Sequence, residues 1–112
     1  MILVLCARAQ TVVDGDIVKL DRQRLRLANI DAPETDPARA KCAYERQLSQ
    51  KSAAALVDRL DEGEPQIHRL GRVDRYQRPL VLISVNGKDV GQSLIEMRLA
   101  QPWVGRKVSW CN

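Results

Sequence analysis

The sequence predicts a chain of mixed α+β class, mainly β, with the element order β-β-β-α-β-β-α. Three observations carry that expectation. The N-terminal part alternates apolar and polar residues between tight-turn signals, the period of half-buried strands. Residues 44–60 switch to an apolar stripe at helical spacing. Two more strand-like runs and a short capped segment then complete the order. Five short antiparallel strands expose their edges unless they close on themselves. A small five-stranded OB-type barrel with two helices packed on it removes those edges.

Taken in order, residues 2–13 are rich in aliphatic side chains and read as a first strand. Asp14-Gly15 marks a turn, and residues 17–20 form a short second strand. Asp21, Arg22 and Gln23 lead into a third over residues 24–30, where Leu25 and Leu27 share one face and Arg24 and Arg26 the other. Tight turns between these three imply an antiparallel meander. In the helix, Tyr44, Leu48, Ala53, Leu56, Val57 and Leu60 make the stripe, which Gly63 and Pro65 end. Asp36-Pro37 is a candidate cap for an earlier helical turn. Residues 66–70 and 80–85 return to strand character, with Asn86-Gly87 turning the chain after the second. Asp89 is placed to cap a short helix, with Gln92 completing a capping box and Val90, Leu94 and Met97 on one face. The tail from about residue 101 is irregular and basic. Neither a repeat nor a linker divides the 112 residues, so one domain is expected.

With no Phe and 4% aromatics, the core has to be built from Leu, Ile, Val and Ala. The net charge of +4 favours a polyanionic partner by long-range attraction, a weak guide on its own. The longest apolar runs are too short to span a bilayer, so no membrane partner is expected, and the chain is expected to be a monomer. The opening ILVLCARAQ faintly resembles the end of a signal peptide, with Ala7 and Ala9 spaced as at a cleavage site. It lacks a basic start and an adequate apolar segment and is read as strand, which leaves open a cytoplasmic or a trimmed exported protein. Cys6, Cys42 and Cys111 lack zinc-site spacing. Three free thiols are the plainer reading; if a bridge forms, it joins Cys42 to Cys111 and ties the tail to the start of the long helix.

The chemistry-bearing motifs have bland readings one at a time. Asp14-Gly15-Asp16 is first a turn, Asp31 and Glu34 are first solvated loop acids, and Arg69, Arg72, Arg75 and Arg78 are first a wet basic surface. Together, and in this order, they mean more. DGD, then RLRLANIDAPE, then DRYQR before an aliphatic strand resembles the staphylococcal nuclease (thermonuclease) family, from about residue 12 to residue 100. IDAPE, at residues 30–34, is the most specific part, and the ending GRKVSWC resembles short bacterial members.

The resemblance implies a nuclease that cleaves DNA and RNA with low sequence specificity, leaving 3′-phosphate and 5′-hydroxyl ends. It implies Asp16 and Asp31 as carboxylate ligands of Ca²⁺, with the Ala32 backbone carbonyl as a third. Arg26 and Arg78 hold the scissile phosphate, Glu34 acts as general base on the attacking water, and Arg75 and Tyr76 line the nucleotide site. The residue types suit this independently. Carboxylates, a carbonyl and water suit a hard cation, Ca²⁺ first, with Mg²⁺ and Mn²⁺ also admissible. Two carboxylates about 4 Å apart repel by roughly 4 kcal/mol at an effective dielectric of about 20, so such a site calls for a cation. A phosphodiester is itself anionic, and a metal with two guanidiniums offsets the added charge of the five-coordinate transition state. Arginine also binds two phosphate oxygens at once and stays charged.

The sequence departs from the family pattern at several points. Ile17 stands where Thr usually follows DGD, removing a hydroxyl near the metal. Gln77 replaces a Gly before Arg78, and Arg98 replaces a Gly at the end of the last helix; both are strained if the backbone there requires positive φ. Trp103 either covers the nucleotide site or plugs the barrel, and His68 has no assigned role. The alternative to an enzyme is a noncatalytic nucleic-acid-binding module with a degenerate site; a general protein-interaction domain is a third reading.

Overall fold

A computed structural model describes residues 2–4, 10–36, 38–107 and 109–111. Cys6, Ala7, Ala9 and Pro37, invoked above, lie outside the described residues, as does part of the expected first strand. The chain runs β1 (Ile2–Val4), β2 (Gln10–Asp14), β3 (Ile17–Leu20), β4 (Gln23–Leu27), β5 (Ile30–Asp31), α1 (Ala43–Leu60), β6 (Gln66–Val73), β7 (Pro79–Val85), β8 (Lys88–Asp89), α2 (Val90–Glu96) and β9 (Gln101–Pro102). The class is therefore α+β, as expected, with more and shorter strands.

β2, β3 and β4 form the expected antiparallel meander. The Arg24-to-Ile30 strand is split, because the chain turns at Ala28 and Asn29 before β5. The main sheet has the order β1-β6-β7-β4-β3-β2, with β8 on β7, and β5 pairs separately with β9. Among the described residues this is an open path with β1 and β2 at its ends, and no closed five-stranded barrel is formed. One pairing positions the site: β4 runs parallel to β7, with Arg26 opposite Leu80 and Leu27 opposite Val81.

The core follows from alternation. Val81, Ile83 and Val85 of β7 are buried at period two and meet Leu25 and Leu27 of β4. Each such side chain contributes about 1.5–3 kcal/mol by leaving water. The long helix has the expected limits to within a residue, and the expected stripe is buried in part: Leu56 and Leu60 are in the core, but the buried face is rotated toward polar and small residues. Glu45, Ser49, Ser52, Ala55, Leu56 and Leu60 point inward, while Tyr44 and Val57 are exposed. Small serines let α1 approach closely: a Cβ on Gly15 would collide with Ser52 and press on Ala32. Asp89 caps α2 through the Gly91 N–H as expected, with Val90 and Leu94 buried, but Met97 is the C-cap and exposed. The tail starts in order, as β9, and Cys42 and Cys111 are joined by a disulfide, which overturns the plainer free-thiol reading for that pair. Among the described residues no helix is long and apolar enough to cross a membrane.

Candidate functional site

A cleft of about 850 Å³ opens over the N-terminal end of β7 and the β4 surface. Asp16, Arg26, Glu34, Arg75, Tyr76 and Arg78, all expected at the site, line it. Asp31 and Ala32 lie beneath its surface, both buried.

The strand register explains the convergence. Ile17 pairs with Arg26 across the β3–β4 ladder, so Asp16, one residue earlier, sits beside Arg26. The Leu27 N–H donates to the Asp16 carbonyl at 2.8 Å and fixes that corner. An Arg26 Nη1 contact then reaches Asp16 Oδ2 at 3.3 Å, and Arg26 Nη2 donates to the Ile30 carbonyl at 3.2 Å. Arg26 is directed away from Leu25 and Leu27, yet it is not solvated: it is buried in the cleft floor with Trp103 stacked on its guanidinium at 4.9 Å. The parallel pairing sets Leu80 opposite Arg26, and Arg78, one residue before β7, lines the same cleft as Leu80. Both arginines thus enter one cleft, Arg26 from β4 and Arg78 from the turn ahead of β7.

Asp16 accepts from the Ala32 N–H at 3.1 Å, which joins the DGD turn to the IDAPE segment. Burial pushes its carboxyl up to about 6, against the opposing pull of Arg26, the Ala32 N–H and Lys107. The side chain of Asp31 is fully buried, and its Oδ1 accepts from Lys107 Nζ at 2.7 Å. The same ammonium lies 3.5 Å from the Ala32 carbonyl oxygen. Asp31 and Ala32 therefore already aim two oxygens at one hard cation, the behaviour a Ca²⁺ ligand pair requires. Among the described residues no three His, Cys, Asp or Glu side chains gather as a metal cluster. The oxygen donors at this corner are the Asp16 and Asp31 carboxylates and the Ala32 carbonyl, of the type a hard cation takes.

Glu34 is half-buried, and its carboxyl is raised first by burial and then by the nearby Asp14 carboxylate. Two acids that sequence reasoning missed hold its loop. Asp14 accepts from the Thr35 N–H at 3.2 Å and from the Thr35 hydroxyl. Glu45, buried at the start of α1, accepts from the Glu34 and Lys41 N–H groups, each at 3.0 Å. The available signal for Glu45 was its place three residues after the N-cap Cys42, whose sulfur accepts from the Glu45 N–H.

On the opposite rim, Asp74 clamps the β6–β7 hairpin. It accepts from the Tyr76 N–H at 2.8 Å, the Arg78 N–H at 2.9 Å and Arg78 Nε at 2.7 Å. Burial would raise the Asp74 carboxyl, but these donors together hold it below its ordinary value. Tyr76 is 56% exposed, with the guanidiniums of Arg39, Arg75 and Arg78 each within 6 Å of its ring centre. Arg78 thus shares the cleft with the acids while its guanidinium rests on Asp74 and Tyr76. Trp103 lines the cleft, which favours the covering role over the plug. His68 is exposed on β6, and Ile17 is buried. Gln77 and Arg98 both have positive φ, 65° and 61°.

The family model described as "Staphylococcal nuclease homologue" matches residues 24–108. The chain is also 33% identical over 91 residues to the succinoglycan biosynthesis protein ExoI of Rhizobium meliloti (strain 1021). That match covers 77% of this chain and 46% of the relative, so the chain spans about half the relative's length.

Proposed function

Since this chain belongs to the staphylococcal nuclease homologue family, we propose that it is a calcium-dependent phosphodiesterase acting on DNA and RNA with low sequence specificity. One observation carries the reading: Asp16, Arg26, Glu34 and Arg78 line one cleft whose rim offers the aromatic faces of Tyr76 and Trp103. Stacking on those faces is sequence-tolerant, because every base has a π-face. A cation, Ca²⁺ before Mg²⁺ or Mn²⁺, would be held by Asp16, Asp31 and the Ala32 carbonyl.

The remaining chemistry is assigned to the chain's own groups. Arg26, fixed by Asp16 and the Ile30 carbonyl, presents a pre-oriented guanidinium to a non-bridging phosphate oxygen. Arg78, which lines the same cleft, takes a second oxygen in exchange for its pair with Asp74. Glu34, its proton affinity raised by burial, accepts a proton from the attacking water as the new P–O bond forms. The bond to the 5′-oxygen breaks and that oxygen takes a proton from solvent, leaving 3′-phosphate and 5′-hydroxyl ends. When bound, the cation supplies Lewis-acid stabilisation of the phosphoryl charge.

Digestion of an end-labelled single-stranded oligonucleotide with millimolar calcium, and again with chelator, tests the reading. Cleavage with calcium only, with 3′-phosphate ends, is the expected result. Intact oligonucleotide in both conditions sinks the enzyme and leaves the second reading, a noncatalytic nucleic-acid-binding module. That reading is favoured by Gln77, whose left-handed backbone directly precedes Arg78. A module shows salt-sensitive affinity without turnover.

A further inference from the structure

We propose that Lys107 is a resident cation at the divalent-ion position, which the ion has to displace in order to bind. The inference rests on the metal-site reading above and adds a residue that the ligand set does not contain. Its ground is a coincidence of geometry. The two oxygens assigned to the ion beneath the cleft, Asp31 Oδ1 and the Ala32 carbonyl, are the two that Lys107 Nζ approaches, at 2.7 and 3.5 Å. A lysine suits this role better than an arginine, because its ammonium is a compact point charge with three donors.

The exposures of the two partners show how displacement works. The side chain of Asp31 is 0% exposed while that of Lys107 is 51% exposed. The acid is thus a fixed, buried anchor, and the lysine enters from the solvent side on a flexible stem it can withdraw. Withdrawal restores rotamer freedom and hydration to the ammonium. Return is assured by the chain. Upstream, Gln101 pairs with Asp31 in the β5–β9 ladder and the Trp103 N–H donates to the Asn29 carbonyl at 3.0 Å. Downstream, Cys111 is bonded to Cys42 at the head of α1. An ammonium so tethered acts at high effective concentration, so a free ion competes with it intramolecularly. The buried carboxylates thereby keep a positive neighbour at all times, and the affinity for the divalent ion is lowered in exchange.

Calcium titration by isothermal calorimetry tests this on the full chain, with circular dichroism as a check of folding. The variants are Lys107→Met, Lys107→Gln and Lys107→Arg. Lys88→Met on β8, outside the cleft, controls for the loss of one positive charge. Both neutral variants are expected to bind calcium roughly tenfold more tightly than the wild type, the scale of one hydrogen bond to a charged group. Lys107→Arg and Lys88→Met should stay near the wild type. Equal affinities throughout overturn the inference while the metal site stands; no calcium binding by any form overturns the metal-site reading and the inference with it. A measurement on the wild type alone covers the case in which the variants do not fold. Brief acetylation read by peptide mass spectrometry should modify Lys107 several-fold faster in saturating calcium, relative to Lys88, and an unchanged ratio overturns the displacement.

Discussion

The floor and the rim of the cleft each carry an aspartate–arginine pair, and the pairs behave oppositely. Asp16 and Arg26 meet at 3.3 Å in the floor, with side chains 4% and 9% exposed. Asp74 and Arg78 meet at 2.7 Å on the rim, more open to water at 13% and 21%. Burial drives the Asp16 carboxyl up to about 6, whereas the donors around Asp74 take its carboxyl below the ordinary range. The difference is a matter of how each charge is compensated. Asp74 has two backbone N–H groups and a guanidinium, which fully occupy it as the clamp of a hairpin. Asp16 has been taken from water with fewer donors and still favours a further positive charge. The floor leaves a buried carboxylate under-compensated, and the rim holds the shape of a hairpin.

Removing each arginine sharpens the contrast and gives the largest expected effects. Arg26→Ala and Arg78→Ala should each lower kcat/KM by about 10²- to 10³-fold, the usual consequence of losing one charged donor to the transition state. Their stabilities should part. Arg26→Ala leaves Asp16 buried without its ion-pair partner and should cost on the order of 3–5 kcal/mol in urea unfolding. Arg78→Ala removes a more exposed pair and should cost about 1 kcal/mol or less. Equal stability losses would erase the distinction between floor and rim. Glu34→Gln should remove most activity with little change in unfolding, since the loop is held through the backbone N–H of Glu34.

The next effect in size concerns the tail that brings Lys107 to the floor. The disulfide closes a loop over a sequence separation of 69. In the chain-entropy account such a closure stabilises by about 4 kcal/mol. Cys111→Ser should lower the unfolding free energy by an amount of that order, read in urea without reductant. Wild-type protein in reductant should fall to the same level. A loss confined to Cys111→Ser, with reduced wild type unaffected, would assign the effect to the substituted residue and not to the closed loop.

Acid titration tests the rim pair. A folded value below the ordinary 3.8 means that the unfolded chain binds the Asp74 proton more readily. The contribution of Asp74 is therefore complete above about pH 4 and disappears as the pH falls through the lower folded value. Asp74→Asn should lower stability near neutral pH and flatten the acid limb of the stability profile. An acid limb as steep in the variant as in the wild type would show that Asp74 is not the group responsible.

What the sequence made legible follows the same division. The alternation of Leu25 and Leu27 with the arginines, the limits of α1 and the order DGD, IDAPE, DRYQR were readable because each is local in the chain. Beyond Leu56 and Leu60 the face of α1 was not, because Ser49 and Ser52 are also buried, Ser52 against Gly15, and serine carries no apolar signal. Nor was the splitting of the third strand at Ala28 and Asn29, which depends on an Ala28 N–H to Val81 carbonyl bond across the sheet. Lys107 lies 76 residues from Asp31, and nothing local marks it off from the other tail cations. Barrel closure was inferred from a general need to protect edges, and the described pairings meet that need only in part.

The smallest expected effect returns to two positions where glycine was expected. Gln77 sits at φ 65° in the hairpin that Asp74 clamps, after a turn closed by its own N–H to the Asp74 carbonyl at 3.0 Å. A left-handed residue at that point of a short hairpin is ordinarily Gly. Arg98 sits at φ 61° just past α2, where the Leu99 N–H reaches the Leu94 carbonyl and the Arg98 N–H the Ile95 carbonyl, at 2.9 Å each. That is the Schellman arrangement, which also favours Gly. An L-residue in this region costs about 1–2 kcal/mol, while glycine adds flexibility to the unfolded chain, so Gln77→Gly and Arg98→Gly should each stabilise by about 1 kcal/mol or less. Only Gln77→Gly adjoins Arg78, so it alone should alter kcat/KM. An increase would mean that Gln77 holds the rim arginine away from its best position. A decrease would mean that the strained turn is what presents Arg78 to the cleft, and that the rim's rigidity serves the chemistry as directly as the floor's charge.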